Sequence, residues 1–562
     1  MTMDSKALRH ASDQPETRRW DYFFWAAAGL MLFWALGARA LWAAEGRWAE
    51  VAREMLLSGD FFHPTIAGLP YFDKPLFSYW LIALTAPLTG LNEWAVRLPS
   101  ACCALAALWA TRRLGAQLWS PAAGRLAGWL LLTAQGFLFW ARAGAADMAN
   151  VAFIMLAIAW YWQRRARPCF STYLVFYLLL FIGAQMKGLT AVIVPILAIV
   201  PDLLREKRWR RLLAGAHWLA LALGLLVYIL PFLYSAMSRT DYASSGIALV
   251  LRENVRRFFD PFDHIEPFYI YLKHVPVLFL PWSPLLIVGL AMAARREVRK
   301  SYTWPDWWLA LALGLIFLFF TASGSRRSYY ILPILPFCAI FCANWLLTTT
   351  PVFQRRLMQI QSALLALLTA GAVATAIAMP LFFRYSGRPW PAGMGWVLAA
   401  AGMGLILAWL PLPAPKEFWQ RWTGLPGRLM AAVATIAICM AVYFCAIQPL
   451  LERYRTEKSF ALEIRATGRN AAQTAFFSGY LENVVFYMGM TPPSHPVIDD
   501  PAAVYAFLQG GPERIVILRR KHLPRLLAGF PPERQGAAAL AEKTFPWQTG
   551  RKAEKKMVAW QL

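Results

Sequence analysis

Long apolar stretches separated by short polar loops make up most of the chain between residues 20 and 450. A membrane helix needs about 20 mainly apolar residues to cross about 30 Å of hydrocarbon, and this pattern predicts about thirteen such helices. The predicted spans are Trp20–Trp42, Ala95–Leu114, Ala122–Ala141, Met148–Trp162, Phe170–Met186, Gly188–Leu204, Leu212–Tyr234, Tyr271–Ala294, Pro305–Thr321, Tyr329–Leu347, Met358–Phe383, Met394–Leu412 and Leu429–Leu450.

One further apolar segment, Pro75–Leu91, would move every later basic loop to the other side if it crossed the membrane. We therefore expect an interfacial or re-entrant helix within an outer loop over residues 43–94. Beyond residue 450 the apolar runs shorten to strand length and alternate with helix-like stretches, which predicts a membrane domain over residues 1–450 and a small α/β domain over residues 451–562. The predicted strands are Thr474–Phe477, Pro496–Ile498, Arg514–Leu518 and Lys556–Trp560.

Composition supports the membrane class, and charge placement gives the orientation. Of 562 residues, 59% are hydrophobic and only 15% are charged, with a formal net charge of +25. A soluble domain has about 25% charged residues, so a cytosolic enzyme is disfavoured. Basic clusters occur at every second loop and mark the cytoplasmic side, which leaves the N-terminus inside and the C-terminal domain outside. Positive charge spread over short loops also disfavours nucleic-acid binding, and the seven cysteines show no metal-ligand spacing.

Charged residues on the predicted outer side run against the positive-inside trend and are the candidates for function. The amphipathic helix after the first span carries Arg47, Glu50 and Glu54 on one face, which fits either a solvated salt-bridged face or a site. Asp73 and Lys74 precede the re-entrant helix. Lys74 can hold a phosphate there and Asp73 a cation, or Asp73 can cap the helix while Lys74 snorkels to the interface.

Two later outer segments carry further candidates. Arg142 and Asp147 bracket a turn of small residues, where Asp147 can cap the next helix or orient an amine. The long outer loop over residues 235–270 carries adjacent Arg256 and Arg257, which can chelate a phosphate. In the same loop His264 can join a divalent-metal site, although an isolated loop histidine is more often solvated. No P-loop, GxSxG, HExxH or Rossmann glycine pattern occurs in the sequence, so no nucleotide is expected.

The motifs of the first outer loop match a known pattern. Residues 45–55 spell Glu-x-Arg-[aromatic]-Ala-Glu-x-x-Arg-Glu-Met, followed by Gly-Asp at 59–60 and Tyr-Phe-Asp-Lys-Pro at 71–75. They resemble the lipid A aminoarabinose transferases of the C-type glycosyltransferase superfamily, which also includes protein O-mannosyltransferases. The Arg142–Asp147 turn, Lys187-Gly188 and the segment Ser325-Arg-Arg-Ser-Tyr-Tyr-Ile-Leu-Pro333 are similar as well. The resemblance covers the whole chain and implies the polytopic α-helical C-type fold.

This resemblance implies a transferase that moves 4-amino-4-deoxy-L-arabinose from undecaprenyl phosphate to a lipid A phosphate. The reaction would take place at the periplasmic face of the bacterial inner membrane, modify lipopolysaccharide and give polymyxin resistance. The implied partners are the lipid-linked sugar donor, the lipid A acceptor and membrane lipids, with no nucleic acid and a monomeric enzyme. The implied displacement is a single step with inversion at the sugar carbon.

The same resemblance assigns roles to individual residues. Asp147 and Glu45 are the candidate catalytic residues, and Asp73 and His264 would hold a divalent ion such as zinc. The expected phosphate- or substrate-binding residues are Arg47, Tyr71, Lys74, Arg142, Lys187, Arg256, Arg257 and Tyr330. The family usually has an acidic pair before the Arg-aromatic-Ala-Glu run, where this chain has Ala44-Glu45. We therefore hypothesise that it lacks one functional carboxylate.

Other functions stay open at this stage. The same fold can transfer another sugar or use a protein acceptor, as O-mannosyltransferases do. A lipid transporter or flippase would show inverted repeats and charged residues at the membrane midplane, whereas the polar residues here gather at one face. A non-catalytic envelope scaffold would leave the loop charges without a function.

Overall fold

A computed structural model of the chain describes residues 15–242, 252, 256–260, 265–349, 351–386, 390, 393–451, 457–489, 496–534, 541–543 and 557–561. These ranges are mostly helical. Their α-helices of five or more residues are Pro15–Phe33, Glu45–Ser58, Phe77–Thr89, Glu93–Leu118, Pro121–Leu132, Gln135–Ala141, Asp147–Arg164, Phe170–Met186, Thr190–Arg205, Gly215–Ser238, Ile270–Leu278, Ser283–Ala293, Arg296–Lys300, Trp304–Ala322, Leu335–Thr348, Pro351–Tyr385, Met394–Trp409, Lys416–Thr423, Gly427–Val442, Glu457–Ala466, Glu482–Met488, Pro501–Gln509 and Leu523–Leu527.

Within the described ranges, five helices are long and apolar enough to cross a membrane. They are Glu93–Leu118, Gly215–Ser238, Trp304–Ala322, Gln359–Tyr385 and Gly427–Leu451. The helices Ile270–Leu278 and Ser283–Ala293 together would make a sixth span, although a bend of 120° separates them. Four shorter apolar helices are Phe77–Thr89, Phe170–Met186, Leu332–Thr348 and Met394–Trp409. These numbers do not confirm the predicted total of about thirteen, which rests on apolar length alone.

Some segments predicted as single membrane spans form two helices in the structure. In one case a hydrogen bond to a distant residue accompanies the break. The expected span Ala122–Ala141 forms two helices, Pro121–Leu132 and Gln135–Ala141. Between them, the backbone N–H of Gln135 donates to the carbonyl of Leu280 at 2.8 Å instead of to its own helix. A hydropathy pattern cannot reveal such a break, because both halves are apolar.

The first loop, residues 43–94, contains two helices and a short hairpin. Its first helix, Glu45–Ser58, buries Trp48, Val51, Ala52 and Met55, as their helical spacing predicts. The following hairpin pairs strands Thr65–Ile66 and Leu69–Pro70 in antiparallel register. The apolar segment predicted over 75–91 is a helix over 77–89, too short to span a bilayer upright.

The acidic face of this first-loop helix is buried, so the prediction of a solvated face is wrong. Glu50 is fully buried and makes a bidentate pair with Arg53 at 2.6 and 2.8 Å. The carboxylate of Glu54 accepts hydrogen bonds from the Thr65 hydroxyl at 2.5 Å and the Ala67 amide at 2.5 Å. Glu54 therefore fixes the hairpin to the helix.

The C-terminal unit, residues 457–561, contains a five-stranded sheet. Its strands are Thr474–Phe477, Val497–Ile498, Ile515–Arg519, Ala541–Lys543 and Met557–Trp560. The strand that begins at Thr474 lies between parallel neighbours beginning at Val497 and Ile515, and the remaining strands pair antiparallel. Four strands match the predicted segments closely, whereas the strand over 541–543 was not predicted.

Alternation along these strands divides the sheet into two faces. Ala475 and Phe477 pack with Val504 and Leu508 in one core. Phe476, on the other face, shares a core with residues of the first loop. The sheet is therefore held against the first loop by its own apolar side chains.

The contact between the two regions is very close at Gly46. A Cβ atom at Gly46 would lie 2.2 Å from the Asn483 side-chain oxygen and 2.6 Å from its backbone nitrogen, so only glycine fits. Nearby, the Tyr487 hydroxyl accepts a hydrogen bond from the Leu41 backbone N–H at 2.6 Å. The C-terminal unit thus positions the start of the first-loop helix.

Candidate active site

A cavity of about 460 Å³ lies where the first loop meets the ends of several apolar helices. Its aromatic wall is formed by Trp48, Phe258, Phe259, Phe319, Phe320, Tyr329 and Tyr330. Its polar lining includes Lys74, Asp147, Asn150, Lys187, Thr190, Ser323 and Ser325. A mainly apolar pocket with a few convergent polar groups is the usual form of a binding site for an amphiphilic ligand.

The central polar feature of this cavity is an ion pair between Lys187 and Asp147. The Lys187 ammonium donates a hydrogen bond to the Asp147 carboxylate, and these side chains are 20% and 8% exposed. The ammonium also lies 5.1 Å from the ring centre of Tyr330 and 5.7 Å from that of Tyr329, within cation–π range. Residues from three distant segments of the chain thus form a partly desolvated ion pair beside two aromatic rings.

Local structure explains how the pair forms. Asp147 is the first residue of the helix Asp147–Arg164, and Ala146 occupies the capping position without a side-chain bond. The alternative role of Asp147 as a helix cap is therefore not observed. Lys187 ends the preceding apolar helix, and Gly188 follows with φ of 143°, a conformation that favours glycine. This turn directs the chain from one helix into the next beside the cavity.

Next to the cavity, Arg47 links the C-terminal unit to the first loop. Its guanidinium donates to the Glu482 carboxylate at 3.0 and 3.3 Å, lies 3.6 Å from an Asp73 oxygen and stacks 5.7 Å from the ring centre of Tyr71. The Lys74 ammonium, which lines the cavity, lies 3.3 Å from the same Asp73 oxygen. The network thus connects the C-terminal unit to a cationic group in the cavity.

The charges in this network keep Asp73 ionised and Tyr71 neutral. Burial works against ionisation of Asp73, but the positive charges of Lys74 and Arg47 outweigh it and hold its pKa below the usual value. Burial, together with the Asp73 charge, raises the pKa of the Tyr71 phenol far above its usual range. The Tyr71 hydroxyl is therefore a neutral donor, and it donates to Asp73 at 3.3 Å.

The residues around Asp73 do not fit a divalent metal. Arg252 adds a third cation 3.7 Å from its carboxylate, beside Lys74 and Arg47. In the part of the chain that the structure describes, no group of three or more His, Cys, Asp or Glu side chains could hold a metal ion. His264, the other predicted ligand, lies outside the described residues. Asp73 also does not cap the following helix, because Leu76 occupies that position.

Glu45, the second candidate catalytic residue, lies outside the cavity in a saturated ion pair. Its carboxylate binds Arg97 through two hydrogen bonds of 2.8 and 2.7 Å and accepts backbone N–H groups of Trp42 and Gly144. Burial disfavours its ionised form, but the guanidinium of Arg97 outweighs burial and lowers the pKa of Glu45. A carboxylate held in this way positions the loop and has no free lone pair for a substrate.

Arg97 itself is a residue that the sequence analysis missed. It is fully buried, and its remaining N–H groups donate to the carbonyls of Leu36, Arg39 and Ala40 at 2.8–2.9 Å. Arg97 lies at the edge of a predicted apolar span, and this position could have indicated its importance from the sequence. An arginine inside such a segment needs partners, and it marks a structural or functional site.

Arg142 also has a structural role rather than the predicted substrate contact. It is only 5% exposed, and its guanidinium donates to the carbonyls of Met31, Leu32 and Trp34 at 2.8–3.2 Å. These carbonyls lie at the end of the helix Pro15–Phe33, where helical partners run out. Arg142 therefore caps the C-terminus of the first helix and does not line the cavity.

The predicted arginine pair of the long loop is not found at the cavity. Arg256 is exposed and lies 3.6 Å from Asp260, while the side chain of Arg257 lies outside what the structure describes. The next two residues, Phe258 and Phe259, line the cavity instead. The long loop thus supplies aromatic rings where charges were expected. Trp48, Asn150 and Thr190 are further lining residues that the sequence analysis did not select.

The chain is similar to known proteins in sequence and in fold. Residues 73–234 match a family model described as dolichyl-phosphate-mannose-protein mannosyltransferase. The crystal structure of ArnT from Cupriavidus metallidurans bound to undecaprenyl phosphate superposes with a TM-score of 0.73 at 18% identity, covering 96% of this chain and 98% of that one. The chain has the ArnT fold. The C-type glycosyltransferase architecture implied by the first loop is thereby confirmed, and the protein is a multi-pass membrane protein of the ArnT type.

Sequence relatives carry names of the same type. A protein of Pseudomonas paraeruginosa named undecaprenyl phosphate-alpha-4-amino-4-deoxy-L-arabinose arabinosyl transferase is 32% identical over 55% of this chain and 56% of its own length. A Pseudomonas fluorescens protein with that name, numbered 1, is 28% identical over 74% of this chain and 78% of its own. The resemblance to aminoarabinose transferases is therefore confirmed. The first of these matches spans little more than half of the relative, so the activity and the substrates of this chain are proposals.

Proposed function

We propose that this protein is an integral-membrane pentosyltransferase. It moves 4-amino-4-deoxy-L-arabinose from undecaprenyl phosphate to a lipid A phosphate. The observation that carries the proposal is the Lys187–Asp147 pair under two tyrosine rings in a mainly apolar cavity. A polyprenyl phosphate combines an apolar tail with an anionic head, and this cavity offers a matching surface for each. The name of the Pseudomonas relatives and the ArnT fold support the same donor.

The cavity can stabilise a departing phosphate. Lys187 and Lys74 both line it, so their charges can neutralise the negative charge that grows on the donor phosphate as the sugar leaves. Asp147 holds the Lys187 ammonium in place. The acceptor phosphate is already an anion and needs orientation more than a strong base. We propose a single displacement with inversion at the sugar carbon.

The remaining features of the proposal concern the setting of the enzyme. We place it in the bacterial inner membrane with about thirteen spans, a cytoplasmic N-terminus and a periplasmic C-terminal domain over residues 451–562, following the charge pattern of the loops. We propose that the enzyme is a monomer. We also propose that the modified lipid A it produces gives polymyxin resistance. A divalent ion stays a prediction from the family resemblance, because the described surroundings of Asp73 do not favour one.

A second candidate function keeps the chemistry and changes the acceptor. The family model that matches residues 73–234 is described as a protein mannosyltransferase, which favours a protein acceptor as the alternative. A hydroxyl acceptor needs a general base, whereas a phosphate does not. In the cavity, the only carboxylate among the described lining residues is Asp147, which is paired with Lys187.

The decisive experiment is mass spectrometry of lipid A from a host without its own transferase. Cells expressing the protein together with the donor pathway should show a mass gain of one aminopentose on lipid A. Purified protein in vesicles with the lipid-linked donor should reproduce this gain. A hexose on protein, with unchanged lipid A, would instead support the alternative. Chelator treatment of the purified system tests the predicted divalent ion. Unchanged transfer after chelation would contradict the prediction that an ion is needed.

A further inference from the structure

A second large cavity, of about 860 Å³, shares no lining residue with the candidate active site. It lies between the bent helix pair Ile270–Leu278 and Ser283–Ala293 and the helices Trp304–Ala322 and Leu335–Thr348, with Leu286, Leu313 and Phe317 among its apolar lining. Nothing in the proposed reaction uses this cavity.

The cavity is amphiphilic, and its charged lining residues, Arg299 and Asp306, lie at one end. Arg299, Ser301 and Thr303 line it where the helix Trp304–Ala322 begins. Arg299 belongs to the segment 295–300, which has four basic residues and one acidic residue. Among the described residues, no carboxylate lies within ion-pair distance of the Arg299 guanidinium. This end of the cavity therefore presents an exposed positive charge.

The one carboxylate among the described lining residues at this end is held by neutral hydrogen-bond donors, and the segment 295–300 keeps the local excess of charge positive. Asp306 accepts hydrogen bonds from the backbone N–H of Thr303 at 2.8 Å, its hydroxyl at 2.5 Å, the Trp119 indole at 3.1 Å and the Asn344 amide at 3.4 Å. Its lone pairs are thus used to fix the rim, and it is not an open site for a cation.

The two cavities have their polar ends on opposite sides of the protein. The helix Trp304–Ala322 has 19 residues, so at 1.5 Å per residue its ends lie about 27 Å apart. Arg299 and Thr303 lie at its start, whereas Phe319 and Phe320 near its end line the candidate active site. A lipid with its phosphate at Lys187 cannot also place that phosphate at Arg299.

We propose that the second cavity binds an anionic phospholipid of the membrane, with its phosphate on Arg299 and an acyl chain among the apolar helices. Basic pockets between membrane helices are known to bind anionic head groups, and each basic residue near the surface contributes about 1 kcal/mol. The site does not depend on the proposed transfer reaction, so its test uses lipid binding and not activity.

Gly314 offers a direct way to block the cavity. It lines the apolar part, and a Cβ atom added there meets no heavy atom within 4 Å. Gly314 therefore has room for a Cβ atom, and we expect the ring of Gly314→Phe to occupy part of the cavity. Gly371→Phe is the matched control, because Gly371 is also a helical glycine with nothing within 4 Å and lies outside the cavity. Arg299→Gln removes the charge, and Arg296→Gln removes a neighbouring charge that does not line the cavity.

The experiment is native mass spectrometry of the full chain in detergent, titrated with phosphatidylglycerol or phosphatidylcholine. We expect one phosphatidylglycerol to bind at least about fivefold more tightly than phosphatidylcholine. A charge contact of about 1 kcal/mol corresponds to about a fivefold ratio of dissociation constants. Gly314→Phe should weaken binding about tenfold or more, and Arg299→Gln about fivefold. Both controls should match the unaltered protein.

Two results would overturn the proposal. Equal binding by all four variants would mean that the lipid lies on the outer surface only. Displacement of phosphatidylglycerol by undecaprenyl phosphate in the unaltered protein, with loss of undecaprenyl phosphate binding in Gly314→Phe, would assign the cavity to the donor instead. Either result leaves the test of the proposed transfer reaction unaffected.

Discussion

Two ion pairs, Glu45–Arg97 and Lys187–Asp147, connect neighbouring parts of the site region, but they differ in their surroundings. Glu45 and Arg97 are both buried, and every N–H of the guanidinium has an acceptor. Lys187 and Asp147 line a cavity, and the lysine keeps part of its surface exposed between tyrosine rings. The Glu45–Arg97 pair has no hydrogen-bonding group left for a ligand. The Lys187 ammonium can still contact a ligand in the cavity.

Saturation of the hydrogen-bonding groups, and not charge, separates a structural ion pair from a functional one. Breaking a buried pair leaves a charge without water or partner, so the cost falls on folding. Breaking a pair at a cavity leaves a charge that water can reach, so the cost falls on the chemistry.

Arg97→Ala should give the largest effect. Removal of one partner of a buried pair costs about 3–5 kcal/mol of unfolding free energy. We expect little folded protein in detergent and a clearly lower thermal unfolding midpoint. Arg113→Ala, an exposed arginine on the same helix, is the control and should be neutral. A stable but inactive Arg97→Ala protein would show that the pair serves catalysis after all.

The pH dependence of stability sharpens the same contrast. The folded-state pKa of Glu45 lies below its unfolded value, so its contribution is fully present above the unfolded pKa and is lost as pH falls through the folded pKa. The protein should therefore lose stability below about pH 4.3, the ordinary pKa of glutamate. Thermal unfolding measured against pH should show a smaller acid-dependent loss in Glu45→Gln than in the unaltered protein.

Lys187→Ala should instead remove activity while the fold persists. Loss of one charge that stabilises a developing anion lowers kcat about 10²–10³-fold. The aminopentose transfer assay measures this, and the unfolding midpoint should stay close to that of the unaltered protein. Lys273→Ala, an exposed lysine that does not line the cavity, should keep full activity. If the Lys187→Ala protein does not fold, the Lys187–Asp147 pair has a structural role like that of Glu45–Arg97.

Ala44→Asp tests the missing carboxylate. Ala44 is exposed and lies one helical turn before Trp48, which lines the cavity, so a side chain at 44 lies on the same side of the helix. We expect transfer to rise at least about 10²-fold, the lower end of the range for a positioned acid or base. Ala44→Asn has the same shape without the charge and should not gain activity. Equal rates for Ala44→Asp and unaltered protein would refute the hypothesis.

Glu482→Gln should give the smallest effect. Its pair with Arg47 is about one third exposed, with side-chain values of 28% and 33%, and such pairs contribute about 0.2–1 kcal/mol. We expect KM for the donor to rise about two- to fivefold with kcat unchanged. A loss of 1.4 kcal/mol would weaken binding about tenfold, and this pair contributes less than that. Glu513→Gln, in the same C-terminal unit but away from Arg47, is the control. A loss in kcat would mean that Glu482 acts on the reaction directly.

The sequence predicted a large part of the candidate site. Lys74, Asp147, Lys187 and Tyr330 were selected from motifs far apart in the chain, and the structure brings all four to one cavity. They could be found because each is a polar residue beside an apolar helix on one predicted side of the membrane. Arg142 met the same criterion and has a structural role. Position along the chain does not reveal which carbonyls lie within reach.

The membrane class, the C-terminal α/β unit and the family resemblance could be predicted from the sequence, because apolar length, alternation and motif spacing are local properties. The folded structure was needed to show that Glu45 is saturated, that Arg97 is its partner and that Glu482 reaches Arg47 across the chain. These outcomes depend on atoms brought together from distant segments. Whether a charge is satisfied or left available depends on all of its neighbours, and a linear pattern does not contain them.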